Sequence, residues 1–262
     1  DYHAMDWYRT IKKVCSHRNI LFATDLIDSE SHLKIVCEDD NIIDLYNIDW
    51  LLFKRQTSMG NLWRNLVKFL VSLLQVLKIK SIEKKYPNAI FHAHTMYYMF
   101  ICWLARIRFI GTPQGSEVIV RPDRSSIYKY FACKSLKSAN HVIVDSVNLQ
   151  NRIRELCGKD AVVIQNGIDV SSIMAKINNK IERSGVLSFR GMYPLYRIHE
   201  ILAGRASSKI KPSLSFCYPV WEEEYKRMII SKLEPGDLDL GRLPSKDKVY
   251  ESLSSALLVI SI

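Results

Sequence analysis

Residues 89–115 read AIFHAHTMYYMFICWLARIRFIGTPQG, and their pattern decides the fold. A short apolar strand ends on His92 and His94, a helix follows, and a second strand ends at Gly111-Thr112-Pro113-Gln114-Gly115. In an open α/β sheet, ligands bind outside the carboxyl ends of the strands. Two polar strand ends one crossover apart therefore predict the rim of a cleft.

The same unit recurs on either side. Upstream, residues 1–18 have helical spacing, with Met5, Tyr8, Ile11 and Val14 or Cys15 on one face, and residues 19–25 read as a buried strand. Residues 32–53 alternate loosely around Glu38-Asp39-Asp40-Asn41, the pattern of a hairpin or of two short strands. A long helix follows Met59-Gly60-Asn61 and closes at Pro87-Asn88. Downstream, a helix over 126–138, a strand over 141–145, a helix over 146–157 and a strand over 161–165 lead to Asn166-Gly167-Ile168-Asp169. The composition then turns small and polar to Ser184, which places a domain boundary at 170/171. Beyond it the rhythm resumes, with strands at 185–190, 212–218, 238–240 and 257–262 and helices at 196–206, 222–233 and 246–256. Alternation of this length means parallel sheets wound by crossovers, an α/β chain of two Rossmann-like domains (1–170 and 171–262). An opening helix with no strand before it, and a closing strand that reads as buried, are expected of an interior portion of a longer chain.

The 262 residues suffice for a substantial core; 48% are hydrophobic and 24% charged, as in globular proteins. The net charge of +10 is spread over both halves. It suits an anionic ligand or an anionic membrane surface, and is compatible with nucleic acid, for which no recognition motif is found. Six scattered cysteines without a C-x-x-C pair read as reduced, which implies a cytoplasmic setting. The most apolar segment, 62–77, is interrupted by Arg64, Asn65, Lys68 and Gln75 and is too short and too polar to span a bilayer. Its helix has an apolar stripe and a basic end at Lys78, Lys80, Lys84 and Lys85, and reads either as core-packed with a solvated cap or as a shallow contact with anionic lipid.

Five pieces in fixed order, FHAH (91–94), GTPQGSE (111–117), NHVIVDS (140–146), VIQNGID (163–169) and SFRGMYPLYRIHEILA (188–203), resemble a glycosyltransferase of the GT-B fold, family 4 type. The resemblance runs over nearly the whole chain. It implies two Rossmann-like domains facing each other across a cleft, the second incomplete here. It also implies retaining transfer of a sugar from a nucleotide diphosphate sugar, with no metal and no cofactor beyond that substrate. By motif position it makes His94 the cleft histidine beside the transferred sugar. Gln114, Gly115 and Ser146 fall on the acceptor side of the cleft, and Asn166 and Gly167 on the turn before the second domain. Arg190 corresponds to the arginine that holds the donor diphosphate. The sequence departs from the family pattern in three ways: Gln114 replaces a histidine, Phe189 stands before Arg190 where a glycine is usual, and Leu195-Tyr196 occupy the place of Lys-Gly. Arg197 is the nearby substitute for that missing cation. The family's E-x7-E segment would fall after residue 262, and its glycine-rich first turn before residue 1.

Retaining transfer needs a held diphosphate and an aligned acceptor more than a strong base. An arginine serves the first need, since its guanidinium stays charged and forks onto phosphate oxygens. His92 shares the pleat face of His94 but sits further from the strand end, where a structural role is expected. Asp237-Leu238-Asp239 mimics a D-x-D metal motif, but no metal is expected there. The expected acceptor is a saccharide or a lipid-linked sugar of surface polysaccharide or glycolipid synthesis, made in the cytoplasm at the inner membrane face. A non-catalytic GT-B module acting as a partner or regulatory subunit is the alternative, and a sugar-nucleotide epimerase of the same fold a third.

Overall fold

The structure is a computed structural model that describes residues 2–25, 41–48, 51, 58–165, 167, 170–176 and 182–261. The predicted Asn166, Ile168 and Asp169 and most of the 32–53 segment lie outside the described residues. By contacts the chain divides into two compact units, Asp1–Asn166 and Gly167–Ile262.

The first unit opens with α1 (Tyr2–Val14), which buries Met5 and Tyr8, followed by β1 (Phe22–Thr24) and β2 (Ile42–Asp44). These two strands pair in parallel, Phe22 with Ile42 and Thr24 with Asp44. Within the segment read as a hairpin or two short strands, residues 42–44 form one short strand, β2, parallel to the preceding β1. The long helix α2 (Ser58–Lys85) comes next, then β3 (Phe91–His94), α3 (Thr95–Ala105) and β4 (Phe109–Thr112). Two short helices, α4 (Gly115–Ile119) and α5 (Arg121–Arg124), lead to α6 (Ser126–Ser138), β5 (His141–Val144), α7 (Val147–Cys157) and β6 (Val162–Val163). The strands β3-β4-β5-β6 lie side by side in chain order, all parallel. Alternate residues of β4 and β5 (Phe109, Val142, Val144) and the inner face of α3 (Met96, Met99, Ile101, Cys102, Ala105) form one buried core. Gly111 leaves room there for Met99, whose Sδ would stand 2.9 Å from an added Cβ and would have to shift.

One part of this unit is polar at its centre. Asp25, at the carboxyl end of β1, is fully buried. Its carboxylate accepts the Tyr98 hydroxyl, accepts Gln75 Nε2 at 3.2 Å and lies 3.6 Å from Lys68 Nζ. Gln75 also donates to the Leu45 carbonyl (2.9 Å) and accepts from the Tyr97 hydroxyl (2.5 Å). Burial pushes the Lys68 pKa down against the pull of Asp25. This network joins the two-stranded sheet to α2 and α3, and it reaches α2 through the polar face of that helix.

The second unit runs from α8 (Val170–Lys176) through β7 (Ser184–Ser188), a single 3₁₀ turn at Pro194–Tyr196, α9 (Ile198–Ser207) and β8 (Leu214–Cys217). It continues with α10 (Glu223–Ile230), β9 (Leu238–Gly241), α11 (Lys246–Ser255) and β10 (Ala256–Ile260). The strand order is β10-β7-β8-β9, all parallel, over a core that includes Val186, Ile198, Leu214, Phe216, Tyr218 and Ile229. The final strand reads as buried from sequence, yet β10 lies at the edge of the four described strands, and Leu257 and Leu258 are exposed. A continuous apolar run reports the burial that parallel strands usually receive.

Candidate functional site

The carboxyl ends of β3, β4 and β5 converge on a hollow of about 250 Å³ within the first unit, as the strand pattern predicts. His94, Thr112-Pro113-Gln114-Gly115 and Asp145 line it, joined by Trp7 from α1. Parallel pairing sets His94 directly beside Thr112.

His94 and His92 share one face of β3, with ring centroids 4.3 Å apart. Trp7 packs edge-on to His92 at 5.6 Å and tilted against His94 at 5.8 Å. His92 Nε2 is 2.8 Å from the Thr112 hydroxyl, which fixes the ring from behind, and His92 does not line the hollow. Burial lowers the His92 pKa to about 4. Burial, and then the charge His92 would carry, lower that of His94 to about 3. Near neutral pH both imidazoles are therefore uncharged, and His94 offers a neutral ring nitrogen to the hollow.

The turn from β3 into α3 is strained. Thr95 has φ +72°, a conformation that β-branched residues rarely adopt. A carboxylate holds this turn in place. The Glu117 side chain, buried in α4, accepts the Met96 amide at 2.8 Å and the Gln114 amide at 3.0 Å. One residue thus ties together the two strand-end turns that carry His94 and Gly115. At Gly115 an added Cβ would meet only Leu149 Cδ1, at 4.0 Å, so the glycine leaves open space in the wall of the hollow. Ser146 is not in that wall: its hydroxyl accepts the Leu149 amide at 3.5 Å and caps α7, while Asp145 lines the hollow in its place.

In the second unit, Arg190 is exposed just beyond the carboxyl end of β7. Its Nε donates to Ser261 Oγ (2.8 Å), past the end of β10, and its guanidinium lies 5.7 Å from the Tyr196 ring centre. Among the described residues it pairs with no carboxylate, so a cation is held at the strand-end edge of this sheet. Arg197 is different. It sits in the left-handed region (φ +47°) and its guanidinium is turned onto Glu200 Oε1, with Nε at 2.7 Å. The expected substitute for the missing Lys, the residue that caps α9, is thereby paired with the first turn of that helix. Gly167, exposed, has nothing within 4 Å of a Cβ position.

The D-x-D carboxylates serve structure. Asp237 accepts Arg205 Nη1 at 2.6 Å and the amides of Leu214 and Glu234 at 2.8 Å each. Burial raises its pKa, but those amides and Arg205 together hold it below the ordinary carboxylate range. Asp239 instead accepts the Tyr218 hydroxyl (2.7 Å) and the Gly241 amide (3.1 Å). Among the described residues no group of three or more His, Cys, Asp or Glu side chains is arranged to hold a metal ion.

Three of these residues, Trp7, Thr95 and Glu117, carry no site role in the sequence reading. Glu117 stood within GTPQGSE, and its position three residues after Gln114 was the available signal. Trp7 lies off the apolar face of α1 and had none.

Comparison with known proteins bears on the fold. Residues 52–172 match the family described as Glycosyltransferase Family 4. Anabaena HepE in complex with UDP superposes with a TM-score of 0.64 at 15% identity, over 98% of this chain and 69% of HepE. The fold is that of the GT-B glycosyltransferases. Sucrose-phosphate synthase from Thermosynechococcus elongatus gives 0.61 at 14% identity, over 91% of this chain and 62% of the synthase. A glycosyltransferase from Rickettsia africae gives 0.61 at 13% identity, over 99% and 68%. No curated protein sequence is significantly similar to the chain. The GT-B expectation is met as a fold, with parallel sheets in each unit.

Proposed function

We propose that the chain is a glycosyltransferase that moves a sugar, with retention, from a nucleotide diphosphate sugar to a saccharide or lipid-linked acceptor in surface polysaccharide or glycolipid synthesis. The observation that carries this reading is Arg190. It is an exposed guanidinium steered by Ser261 and paired with no described carboxylate, and it stands at a strand end in a fold whose solved examples include HepE bound to UDP and glucose. Arg190 takes the diphosphate, where a forked cation offsets the charge that grows as the bond to the sugar breaks. His94, kept neutral, donates or accepts a hydrogen bond at the transferred sugar without placing a second cation there. Gly115 and Gln114 give the acceptor backbone access, and Asp145 joins them in the role expected of Ser146. Asn166 and Gly167 keep the donor-binding role that the family resemblance implies. No metal or further cofactor is invoked.

The test is calorimetric binding of UDP, GDP and ADP, with release of nucleotide from the corresponding donor sugars as the readout of turnover. Arg190→Ala should weaken binding by about tenfold or more, since a charge-assisted phosphate contact contributes about 1.5–3 kcal/mol. Absence of binding by all three nucleotides, or an unchanged affinity in the variant, refutes the assignment. One observation favours a second reading as a non-catalytic binding module: Arg197 is locked onto Glu200 where a second phosphate cation is expected. Tight nucleotide binding without donor turnover would decide for it.

A further inference from the structure

Helix α2 is mixed on its inward face, where Val67 and Ile79 are buried alongside polar side chains, and apolar on its outward face. The buried face carries Lys68, Ser72 and Gln75, the last two almost fully enclosed. On the opposite side Leu62, Leu66, Phe69, Leu70, Leu73 and Leu77 are each 48–72% exposed. At 3.6 residues per turn these six fall on one stripe, and Met59 (83% exposed) extends it at the amino end. Lys80 and Lys84, both exposed, continue the same line at the carboxyl end. From Met59 to Leu77 the apolar part runs 19 residues, an axial rise of about 27 Å. Scattered surface leucines need no explanation, but a contiguous stripe marks an interaction surface. Of the two readings open from sequence, core packing holds for the inward face, where Ile79 joins the core and Val76 and Ile82 pack against it, but it leaves the leucine stripe uncovered.

We propose that this stripe is a docking surface for an anionic lipid bilayer, on which α2 lies flat. Charge decides between occupants. The helix holds Arg64, Lys68, Lys78, Lys80, Lys84 and Lys85 against one acid, Glu83, in a chain of net charge +10. A second copy would bring like charges together, whereas an acidic headgroup layer offers the complement at the lysine end and hydrocarbon for the leucines. Trp63 and Phe69 suit the boundary between the two. Among the described residues no helix is long and apolar enough to cross a membrane, so the contact is in plane. The proposal does not depend on sugar transfer, because its test reads binding to vesicles alone.

The experiment is flotation of the chain with vesicles of phosphatidylcholine, and of phosphatidylcholine mixed with phosphatidylglycerol, over a range of salt. The mixed vesicles should carry the chain, less so at high salt. Lys80→Glu/Lys84→Glu should weaken the apparent affinity at least tenfold, each basic residue near an anionic surface contributing about fivefold. Leu66→Gln/Leu73→Gln should abolish flotation without lowering the unfolding midpoint, since both side chains face outward. Failure to float with acidic vesicles, or flotation unaffected by either double variant, overturns the proposal. So does a drop in the midpoint of the leucine variant, which would show the stripe packed within the chain. A dimer by sedimentation velocity that the leucine variant disperses would assign the stripe to a second copy instead.

Discussion

Glu117 is the residue on which the hollow depends most directly. Replacing it with alanine leaves the Met96 and Gln114 amides without their shared acceptor. Met96 is almost fully buried, so its amide bears the full desolvation penalty of about 1–3 kcal/mol. Gln114 is half-buried and can partly rehydrate, adding about 1 kcal/mol. Arg121 contributes little, because its guanidinium is largely exposed and stands 3.8 Å from the other carboxylate oxygen. The expected cost of Glu117→Ala is therefore about 2–4 kcal/mol, whereas Glu117→Gln keeps one acceptor oxygen and should cost about 1 kcal/mol. The assay is urea unfolding combined with amide hydrogen exchange at Met96 and Gln114. Exchange matters because two units need not unfold in one step. Faster exchange confined to these turns and their helices is expected of the alanine variant. A loss below about 0.5 kcal/mol, with unchanged protection at Met96, refutes the claim that this carboxylate clamps the two strand ends.

Three further outcomes are expected. Acid should destabilise the first unit. His92 and His94 titrate near 4 and 3 when folded against about 6.5 when unfolded, so the unfolded chain alone gains protons as pH falls below 6.5. Stability should then drop toward pH 4 by up to about 1.4 kcal/mol per pH unit for each histidine, and a flatter pH profile of the unfolding midpoint in His94→Gln would confirm the source. Arg205→Ala should cost about 3 kcal/mol in the second unit by leaving Asp237 buried without its cation; hydrogen exchange in β7 and β8 that stays as slow as in the parent would contradict this. Gly115→Ala should leave the melting temperature unchanged within about 2 °C, because its Cβ enters open space, and a larger fall would show that the wall is packed there.

The hollow and its rim were legible in sequence because both follow from strand ends. An apolar run that stops at His-x-His or Thr-Pro-Gln-Gly marks a carboxyl end, and parallel pairing then places His94 beside Thr112 with no further information. The D-x-D tripeptide shows the limit of such local reading. Its two carboxylates turn to different partners, Arg205 and Tyr218, which lie 32 and 21 residues away in the chain. Arg197 and Glu200, by contrast, are three residues apart, the cap and the first turn of one helix, and they pair across that short distance.

Local periodicity alone determined that this chain is α/β, that its sheets are parallel, and that His94 and Arg190 stand at strand ends, because alternation and chain-breaking residues act over a few positions. Tertiary structure alone decided which side of α2 faces inward, that Trp7 reaches the hollow, and that Glu117 joins two turns. A helical stripe fixes the angle between polar and apolar faces, not which of them the core accepts. Asp25, fully buried at the end of β1, favours the side of α2 that brings Gln75 and Lys68 to its carboxylate, and that same side buries Val67 and Ile79.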